Sequence, residues 1–314
     1  MATSPVEAGR PRTATVRLGV FSPSVVLGVA AQTGALARAG LRVEEIAVSS
    51  SSQQFSLLLE GELDAVLTSP DNVISYRQSS ANPLGRSADV RILAAVDRGL
   101  GLSLFAAPGV DPGTGLRGGV LGVDVPTSGF AFAAYELLAR RGLRRLAHYT
   151  VEPMGTTPMR AKALIANRCT MTMLNAGSDL RAEDAGCTRV SRASSMGLYV
   201  GTVLAARGTD IDRDLPALRA LTTTVVSTCR ALAAKPQGET ASMVTRARLG
   251  LDAHGTARYL ATLADRVEGL IPDARLDDAS LYTLRMLRAR HAEPRVPVDA
   301  DPGLVDERFL AFTG

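Results

Sequence analysis

The stretch that decides the fold is Gly61–Asn72, GELDAVLTSPDN. Its first half carries the apolar residues of a buried strand, Leu63 and the run at 65–67. Its second half, 68–72, turns polar at once, with two hydroxyls, a carboxylate and an amide. A core strand that ends in such a cluster predicts a strand whose carboxyl end opens onto a ligand site.

Strands and helices alternate in the residues that precede this stretch. Apolar runs at 16–21 and 41–48 predict two strands. Each is followed by a Ser-capped helical pattern that ends at a glycine, Gly40 or Gly61. Strand and helix at this spacing are typical of βαβ units, so the pattern predicts a parallel sheet.

The alternation breaks at 89–107, where two strand-like runs follow each other without a helix, and then starts again. The later segment ALIANRCTMTMLNAGSD (163–179) has the same plan as LLLEGELDAVLTSPDN (57–72): the end of a helix, a short buried strand and a polar cluster. Another pair of strand-like runs occupies 198–208. The repeated order of elements predicts a second α/β lobe built like the first.

The predicted fold class is α/β, with two lobes, two parallel-rich sheets, a hinge and a C-terminal helical layer. Lobe 1 comprises 16–100 plus 200–314, and lobe 2 comprises 101–199. From 214 onward apolar residues recur at helical spacing, which predicts helices that pack back on lobe 1. The first fifteen residues are rich in Pro, Ser and Thr, which predicts disorder over 1–15.

The chain is predicted to cross between the lobes twice, near 97–107 and near 195–206. Two crossings form a hinge, and the cleft between two hinged lobes is the default place for a ligand.

Composition excludes several classes of protein. The net charge of +4 and the pI near 9.2 come from scattered arginines, and aromatic residues make up only 4% of the chain, so binding to nucleic acid is not predicted. The three Cys and three His residues show no metal-type spacing, and no apolar run is long enough to cross a membrane. No metal and no cofactor are predicted.

Two runs carry a resemblance to a known family. Leu58, Gly61, Asp64 and Ala65 match an L-x-x-G-x-x-D-A run, and 116–123 match an L-(R/K)-G-x-x-x-G-V run. With their surroundings they resemble the type II periplasmic solute-binding fold, in the branch of sulfonate-, taurine- and thiamine-pyrimidine-type binding proteins. The resemblance covers about residues 16–235 and implies a two-lobed receptor for a small organic ligand, the substrate-binding component of an ABC transporter.

The N-terminus departs from that family, because it shows neither an export signal nor a lipid-attachment cysteine. A cytoplasmic location is therefore expected, or a periplasmic or membrane-anchored one if the N-terminus was trimmed. An ABC permease is an expected partner only if the chain is exported. The family also contains cytosolic enzymes, but the His, Cys-rich run and Lys of its thiamine-pyrimidine synthase are not evident here.

The polar residues predicted to face the cleft follow the strands of both lobes. Helix N-termini meet at the same edge, where their free N–H groups favour anions. The candidate ligand-binding residues are Ser22, Ser24, Ser50, Ser51, Thr68, Ser69, Asn72, Arg98, Thr127, Ser128, Gly129, Thr156, Thr157 and Asn175.

Each candidate has a plainer alternative. Ser22, Ser51, Ser128 and Thr157 also suit an ordinary helix cap, and so does Asp71. Arg98, beside Asp97 at the first crossing, suits either a bidentate clamp on an acidic ligand or a surface ion pair at the hinge. Asp124 ends a strand and suits either a general base or an acceptor for nearby backbone N–H groups.

Two functions remain open on the sequence. The first is a binding protein that closes two lobes on a small anionic or heterocyclic molecule. The second is a cytosolic lyase on the same fold, a decarboxylase or dehydratase acting on a small carboxylate, with Asp71 or Asp124 as the acid or base.

Overall fold

The computed structural model describes residues 13–293 and 301–312. It contains two five-stranded sheets with helices on their faces. The strands of the first sheet are β1 Ala14–Val20, β2 Leu41–Ala47, β3 Ala65–Thr68, β4 Val90–Asp97 and β10 Thr202–Arg207. The strands of the second are β5 Ser103–Ala106, β6 Val120–Val123, β7 Thr150–Pro153, β8 Met171–Leu174 and β9 Thr188–Arg192.

The helices follow the strands as the βαβ pattern predicts. The helices that precede β10 are α1 Val25–Gln32, α2 Ala35–Arg38, α3 Ser51–Glu60, α4 Pro70–Gln78, α5 Gly129–Ala139, α6 Thr157–Ile165 and α7 Ser178–Asp184. The C-terminal helices are α8 Gly208–Arg213, α9 Leu215–Ala234, α10 Glu239–Leu249, α11 Ala253–Leu263 and α12 Asp278–His291. Short 3₁₀ helices occupy Ala193–Met196 and Glu307–Phe312.

The two sheets have the same topology. The strand orders are β2-β1-β3-β10-β4 and β7-β6-β8-β5-β9. In each sheet three neighbouring strands are parallel to one another. The strand by which the chain enters from the other sheet, β10 in the first and β5 in the second, runs antiparallel to both of its neighbours. The predicted fold class, two lobes with parallel-rich sheets, is confirmed.

The chain leaves the first sheet after β4 and returns to it at β10, through the segments 98–102 and 197–201. These segments touch. A side chain at Gly201 would collide with the backbone of Gly99, and the Gly201 N–H donates to the Asp97 carbonyl over 2.9 Å. Glycine is required at Gly201 because the two crossing segments approach so closely.

The opening stretch takes the predicted form. Gly61 ends α3 in the left-handed conformation, with a φ of 83°, and β3 follows with all four residues buried. The Ser69 hydroxyl then accepts a hydrogen bond from the Asn72 N–H, and Pro70 occupies the first position of α4. A capping serine followed by proline starts a helix where the strand ends.

The C-terminal layer differs from the prediction in one helix. Side chains of α9, α10 and α11 join the core of the first lobe, as at Leu221, Val244 and Leu260. In α12, Leu284 and Leu287 instead join the core of the second lobe, next to Phe132 of α5. The apolar stripe on α12 was recognisable in the sequence, but a stripe does not say which lobe it covers.

The two chain ends also depart from the expected boundaries. β1 begins at Ala14, inside the segment predicted to be disordered, because 14–20 pair with 41–47 along β2. Residues 1–12 lie outside the described residues. At the end of the segment with helical spacing, the structure has a 3₁₀ helix at Glu307–Phe312, which follows a bridge between Val305 and Ile92 of β4.

Candidate ligand-binding cleft

A cavity of about 140 Å³ lies between the lobes, beyond the carboxyl ends of the strands. Both lobes contribute to its wall. Its polar and ionisable lining residues are Ser22, Ser24, Thr68, Ser69, Asn72, Asp97, Asp124, Ser128, Thr156, Thr157, Arg160, Asn175, Thr202 and Tyr259. Apolar side chains complete the wall, among them Phe21 from the first lobe and Phe130 from the second.

Four helices begin at this cavity. Ser24, Ser69 and Ser128 are the N-caps of α1, α4 and α5, and each hydroxyl accepts a backbone N–H of its own helix over 3.2–3.3 Å. Thr156 precedes α6 and its hydroxyl makes no such capping bond. Helix N-termini carry partial positive charge and free N–H groups, so four of them around one cavity favour the acidic group of a ligand.

Arg160 brings a full positive charge to the same cavity. Its guanidinium donates to the hydroxyls of Thr157 and Thr172, over 3.0 and 3.2 Å, and to the Gly155 carbonyl. Among the described residues no carboxylate lies within 4 Å of it. Burial lowers the pKa of Arg160 to about 10, and the Asp124 charge acts against that fall. Arg160 therefore stays charged at neutral pH, held by neutral acceptors.

Asp97 is the most deeply buried carboxyl in the lining, at 4% exposure. Its Oδ1 accepts the Gly99 N–H over 2.7 Å. Burial raises the pKa of Asp97 to about 6, against hydrogen bonds from the Thr202 hydroxyl and the Gly99 N–H. The carboxyl thus sits at the end of β4, on the hinge side of the cavity, in the segment that joins the lobes.

Asp124, at the end of β6, connects the two lobes. Its Oδ2 accepts the backbone N–H of Ser51, from α3 of the other lobe, over 3.4 Å, while its Oδ1 is buried without a partner. Burial raises the pKa of Asp124, and the nearby Arg160 guanidinium opposes this. The Asp124 carboxyl therefore lines the cleft and also accepts a hydrogen bond from the other lobe.

Ten of the residues predicted from the sequence line the cavity: Ser22, Ser24, Thr68, Ser69, Asn72, Asp124, Ser128, Thr156, Thr157 and Asn175. Two of them also hold the cleft's shape. The Asn72 amide donates to the Thr68 hydroxyl over 3.1 Å, and the Asn175 amide donates to the Gly99 carbonyl over 2.8 Å.

Other predicted residues lie elsewhere. Ser50 caps α3, where it accepts the Gln53 N–H, and Ser51 meets Asp124 as described. Thr127 is not part of the cavity wall. Arg98 forms an ion pair with Asp277 over 3.1 Å and a hydrogen bond with Ser280. It therefore forms an ion pair at the hinge and does not clamp an acidic ligand.

Asp71 and Gly129 meet each other instead of a ligand. The Asp71 carboxylate pairs with the buried Arg288 of α12 over 2.9 Å, and it is not part of the cavity wall. A Cβ on Gly129 would lie 2.6 Å from the Asp71 Cβ, so this glycine permits α5 of one lobe to approach α4 of the other. Both residues therefore serve the contact between the lobes.

Four polar or ionisable cleft residues escaped prediction: Arg160, Asp97, Thr202 and Tyr259. A signal existed for Arg160, because it lies four residues after Thr156 and four before Leu164, and residues at that spacing share one helix face. Asp97 and Thr202 pair across β4 and β10, a contact between distant segments that a single sequence does not reveal.

The described part of the chain contains neither a metal-binding cluster nor a membrane-spanning helix. Its His, Cys, Asp and Glu side chains do not gather into a group of three that could hold a metal ion. Within 13–293 and 301–312, no helix has the length and apolar character that crossing a membrane requires.

Several solved structures resemble this chain over nearly its whole length. A protein from Bordetella bronchiseptica RB50 matches with a TM-score of 0.76 at 17% identity, covering 96% of each chain. The ligand-binding component of an ABC-type import system from Staphylococcus aureus matches at 0.75 and 12%, covering 96% of this chain and 99% of that one.

The alkanesulfonate-binding protein SsuA from Xanthomonas axonopodis pv. citri, bound to MOPS, matches at 0.72 and 15%, covering 92% of this chain and 98% of that one. The chain has the periplasmic-binding-protein fold. No protein-family model matches the sequence, and neither does any curated protein. The periplasmic-binding-protein fold accounts for the paired sheets and for the cleft between them, and the similarity extends no further than the fold.

Proposed function

We propose that this chain is a solute-binding protein whose two lobes close on a small organic molecule with an acidic group. The observation that carries the proposal is the convergence of four helix N-termini, two from each lobe, on one cavity that also holds Arg160. Backbone N–H groups, hydroxyls and a guanidinium are the groups that recognise carboxylates, sulfonates and phosphonates.

The size of the cavity limits the ligand. A cavity of about 150 Å³ holds a molecule the size of benzene, and the cleft has about 140 Å³. One similar solved structure, an alkanesulfonate-binding protein, supports the same class of ligand, and another, the ligand-binding component of an importer, supports the role of binding a solute.

A thermal-shift screen tests the proposal. The panel contains small sulfonates, carboxylates and phosphonates, each with a neutral analogue of similar size, and hits are measured by calorimetry. At a ligand concentration 100 times Kd, binding adds about 2.7 kcal/mol to the free energy of unfolding, so true ligands raise Tm clearly. The proposal fails if neutral analogues stabilise the protein as well as the acids do.

The same samples separate binding from catalysis. Of the two acids that a lyase would use, Asp71 is occupied by Arg288, and Asp124 alone reaches the cavity. Mass spectrometry of each incubated ligand is expected to return it unchanged. Turnover that is lost in an Asp124→Asn variant would instead favour the lyase.

The location and transport partner of the chain are also proposals. A permease of the ABC type is the partner that an exported solute-binding protein requires, and a cytoplasmic protein has no such partner. Subcellular fractionation of cells that express the full-length gene distinguishes the two cases.

A further inference from the structure

The charges that line the cleft do not suit a plain anion. Among the described lining residues, two are carboxyls, Asp97 and Asp124, and one is a guanidinium, Arg160. When both carboxyls are ionised, the charged side chains of the wall sum to one negative charge. A ligand that carries only negative charge is attracted by Arg160 and the helix N-termini but is repelled by the carboxyls.

The two carboxyls differ in their surroundings. Asp124 acts on Arg160, because its charge opposes the fall in the Arg160 pKa, and it also accepts the Ser51 N–H. In the described part of the chain neither carboxyl has an Arg or Lys nitrogen within 4 Å, but Arg160 is near enough to oppose the rise in the Asp124 pKa, whereas the partners of Asp97 are the Gly99 N–H and the Thr202 hydroxyl and no cation. A buried carboxylate without a cation is unfavourable until a cation reaches it.

We propose that the cleft selects a small zwitterion, whose acidic group lies at Arg160 and the helix N-termini and whose ammonium group lies at Asp97. This inference rests on the proposed function and adds the second charge of the ligand. Asp97 belongs to β4 at the hinge and Arg160 to α6 of the second lobe, so one short ligand touches both the hinge and the far lobe.

The titration of Asp97 gives the binding a pH dependence. The titratable groups that face it are Tyr199, Tyr259 and Cys229, and burial raises the pKa of each, so these three stay neutral near pH 7. Because the Asp97 pKa is about 6, its carboxyl is ionised at pH 7.5 and mostly protonated at pH 5. Attraction for an ammonium group is present at the higher pH and is lost as the pH falls through about 6.

Two matched pairs of probes test the ammonium group alone. They are 2-aminoethanesulfonate with 2-hydroxyethanesulfonate, and 3-aminopropanoate with 3-hydroxypropanoate, which differ only in an ammonium or a hydroxyl group. Calorimetry of the full chain at pH 7.5 is expected to show at least about tenfold tighter binding of the amino member of a pair. At pH 5 this preference shrinks.

Variants assign the preference to a residue. Asp97→Asn is expected to bring the two members of a pair within about twofold of each other, and the hydroxy member binds at least as tightly as to the wild type because one repelling carboxylate is gone. Asp179→Asn is the matched control, because Asp179 is also buried, has a pKa raised to about 6 by burial and accepts a backbone N–H, but does not line the cavity. The control variant keeps the wild-type preference.

Three results overturn the inference. They are equal binding of both members by the wild type, a preference that survives in Asp97→Asn, and no binding of either pair at millimolar concentration. If Asp97→Asn does not fold, the wild-type pH series decides, and a preference that is constant from pH 5 to 7.5 counts against Asp97. In all these cases an acidic hit from the broader panel still supports the proposed function, whereas a panel without acidic hits removes both.

Discussion

Arg160 is the residue on which recognition of an acidic group depends. Its guanidinium is held in place by Thr157, Thr172 and a backbone carbonyl, so its orientation is fixed before a ligand arrives. A planar guanidinium donates in a fork that suits carboxylate and sulfonate oxygens, whereas a lysine ammonium is a compact charge on a flexible stem. Charge and geometry at this position are therefore separable by substitution.

Replacing Arg160 with lysine is expected to weaken binding of an acidic ligand by about tenfold or more, although the charge remains. The orphaned buried acceptors also lower the free energy of unfolding by about 1–3 kcal/mol. Calorimetry and denaturant titration measure the two effects. Arg98→Lys is the control, since Arg98 binds Asp277 outside the cleft, and equal loss of affinity in both variants would contradict the role given to Arg160.

Gly129 supports the contact between the lobes. An added Cβ would lie 2.6 Å from the Asp71 Cβ and 3.1 Å from its Cγ. We expect Gly129→Ala to lower the free energy of unfolding by about 1–3 kcal/mol, as overpacking does, and urea titration checks this. Gly255→Ala is the control, because Gly255 also lies in the first turn of a helix but its Cβ would meet nothing closer than 3.3 Å. Equal effects in both variants would disprove the clash.

The sequence predicts cleft residues well where they follow a strand directly. Thr68 and Asn175 are found this way because they mark the ends of β3 and β8, and Ser24, Ser69 and Ser128 because a helix cap after a parallel strand lies at the carboxyl edge of the sheet. Arg160 is a full turn inside its helix, and its position in the cleft follows from how α6 packs. Its spacing from Thr156 places the two residues on one helix face but does not say that this face points into the cleft.

Among the secondary-structure elements, α12 ties the two lobes together. Leu284 and Leu287 pack in the core of the second lobe, while Arg288 reaches Asp71 of α4 in the first. Arg288 also lies over the Phe132 ring of α5, with 5.7 Å between its Cζ and the ring centroid. The helix therefore holds a buried ion pair at the point where α4 and α5 meet.

A double-mutant cycle measures that ion pair. Arg288→Met leaves the Asp71 carboxylate buried and unpaired, and the loss of one partner of a buried pair typically destabilises a protein by about 3–5 kcal/mol. Asp71→Asn combined with Arg288→Met removes both charges, so we expect the double variant to unfold at higher urea concentration than Arg288→Met alone. Strict additivity of the two single changes would show that Asp71 and Arg288 do not interact.

At the scale of the whole molecule, the two sheets repeat one topology, and the repeat was visible in the sequence. The plan shared by 57–72 and 163–179 reappears as β3 and β8, each the middle strand of its sheet. The alternation of strands and helices predicts both lobes because each step depends on neighbouring residues. The position of α12 depends on contacts between residues about 150 apart, such as Glu136 with His291, which no local pattern records.

Stability against pH tests the buried carboxyl at the hinge. The folded-state pKa of Asp97 is about 6, above the value of about 3.9 in an unfolded chain, so the folded protein binds more protons between these values. Its contribution to stability is full below about pH 4 and is lost as the pH rises through about 6. Asp97→Asn lacks this titration, while its side chain still accepts the Gly99 N–H.

We therefore expect the variant and the wild type to unfold at similar urea concentration at pH 4. At pH 8 the variant is more stable by about 2–3 kcal/mol, which is the free energy of a shift of about two pKa units in a fully buried group. His291, whose pKa is lowered by burial, titrates in both proteins and cancels in the difference. Urea titrations from pH 4 to 8 measure it. Parallel stability curves would mean that the folded-state pKa of Asp97 equals its unfolded value, so that Asp97 is ionised at both pH 5 and pH 7.5 and the preference for an ammonium group would not change between them.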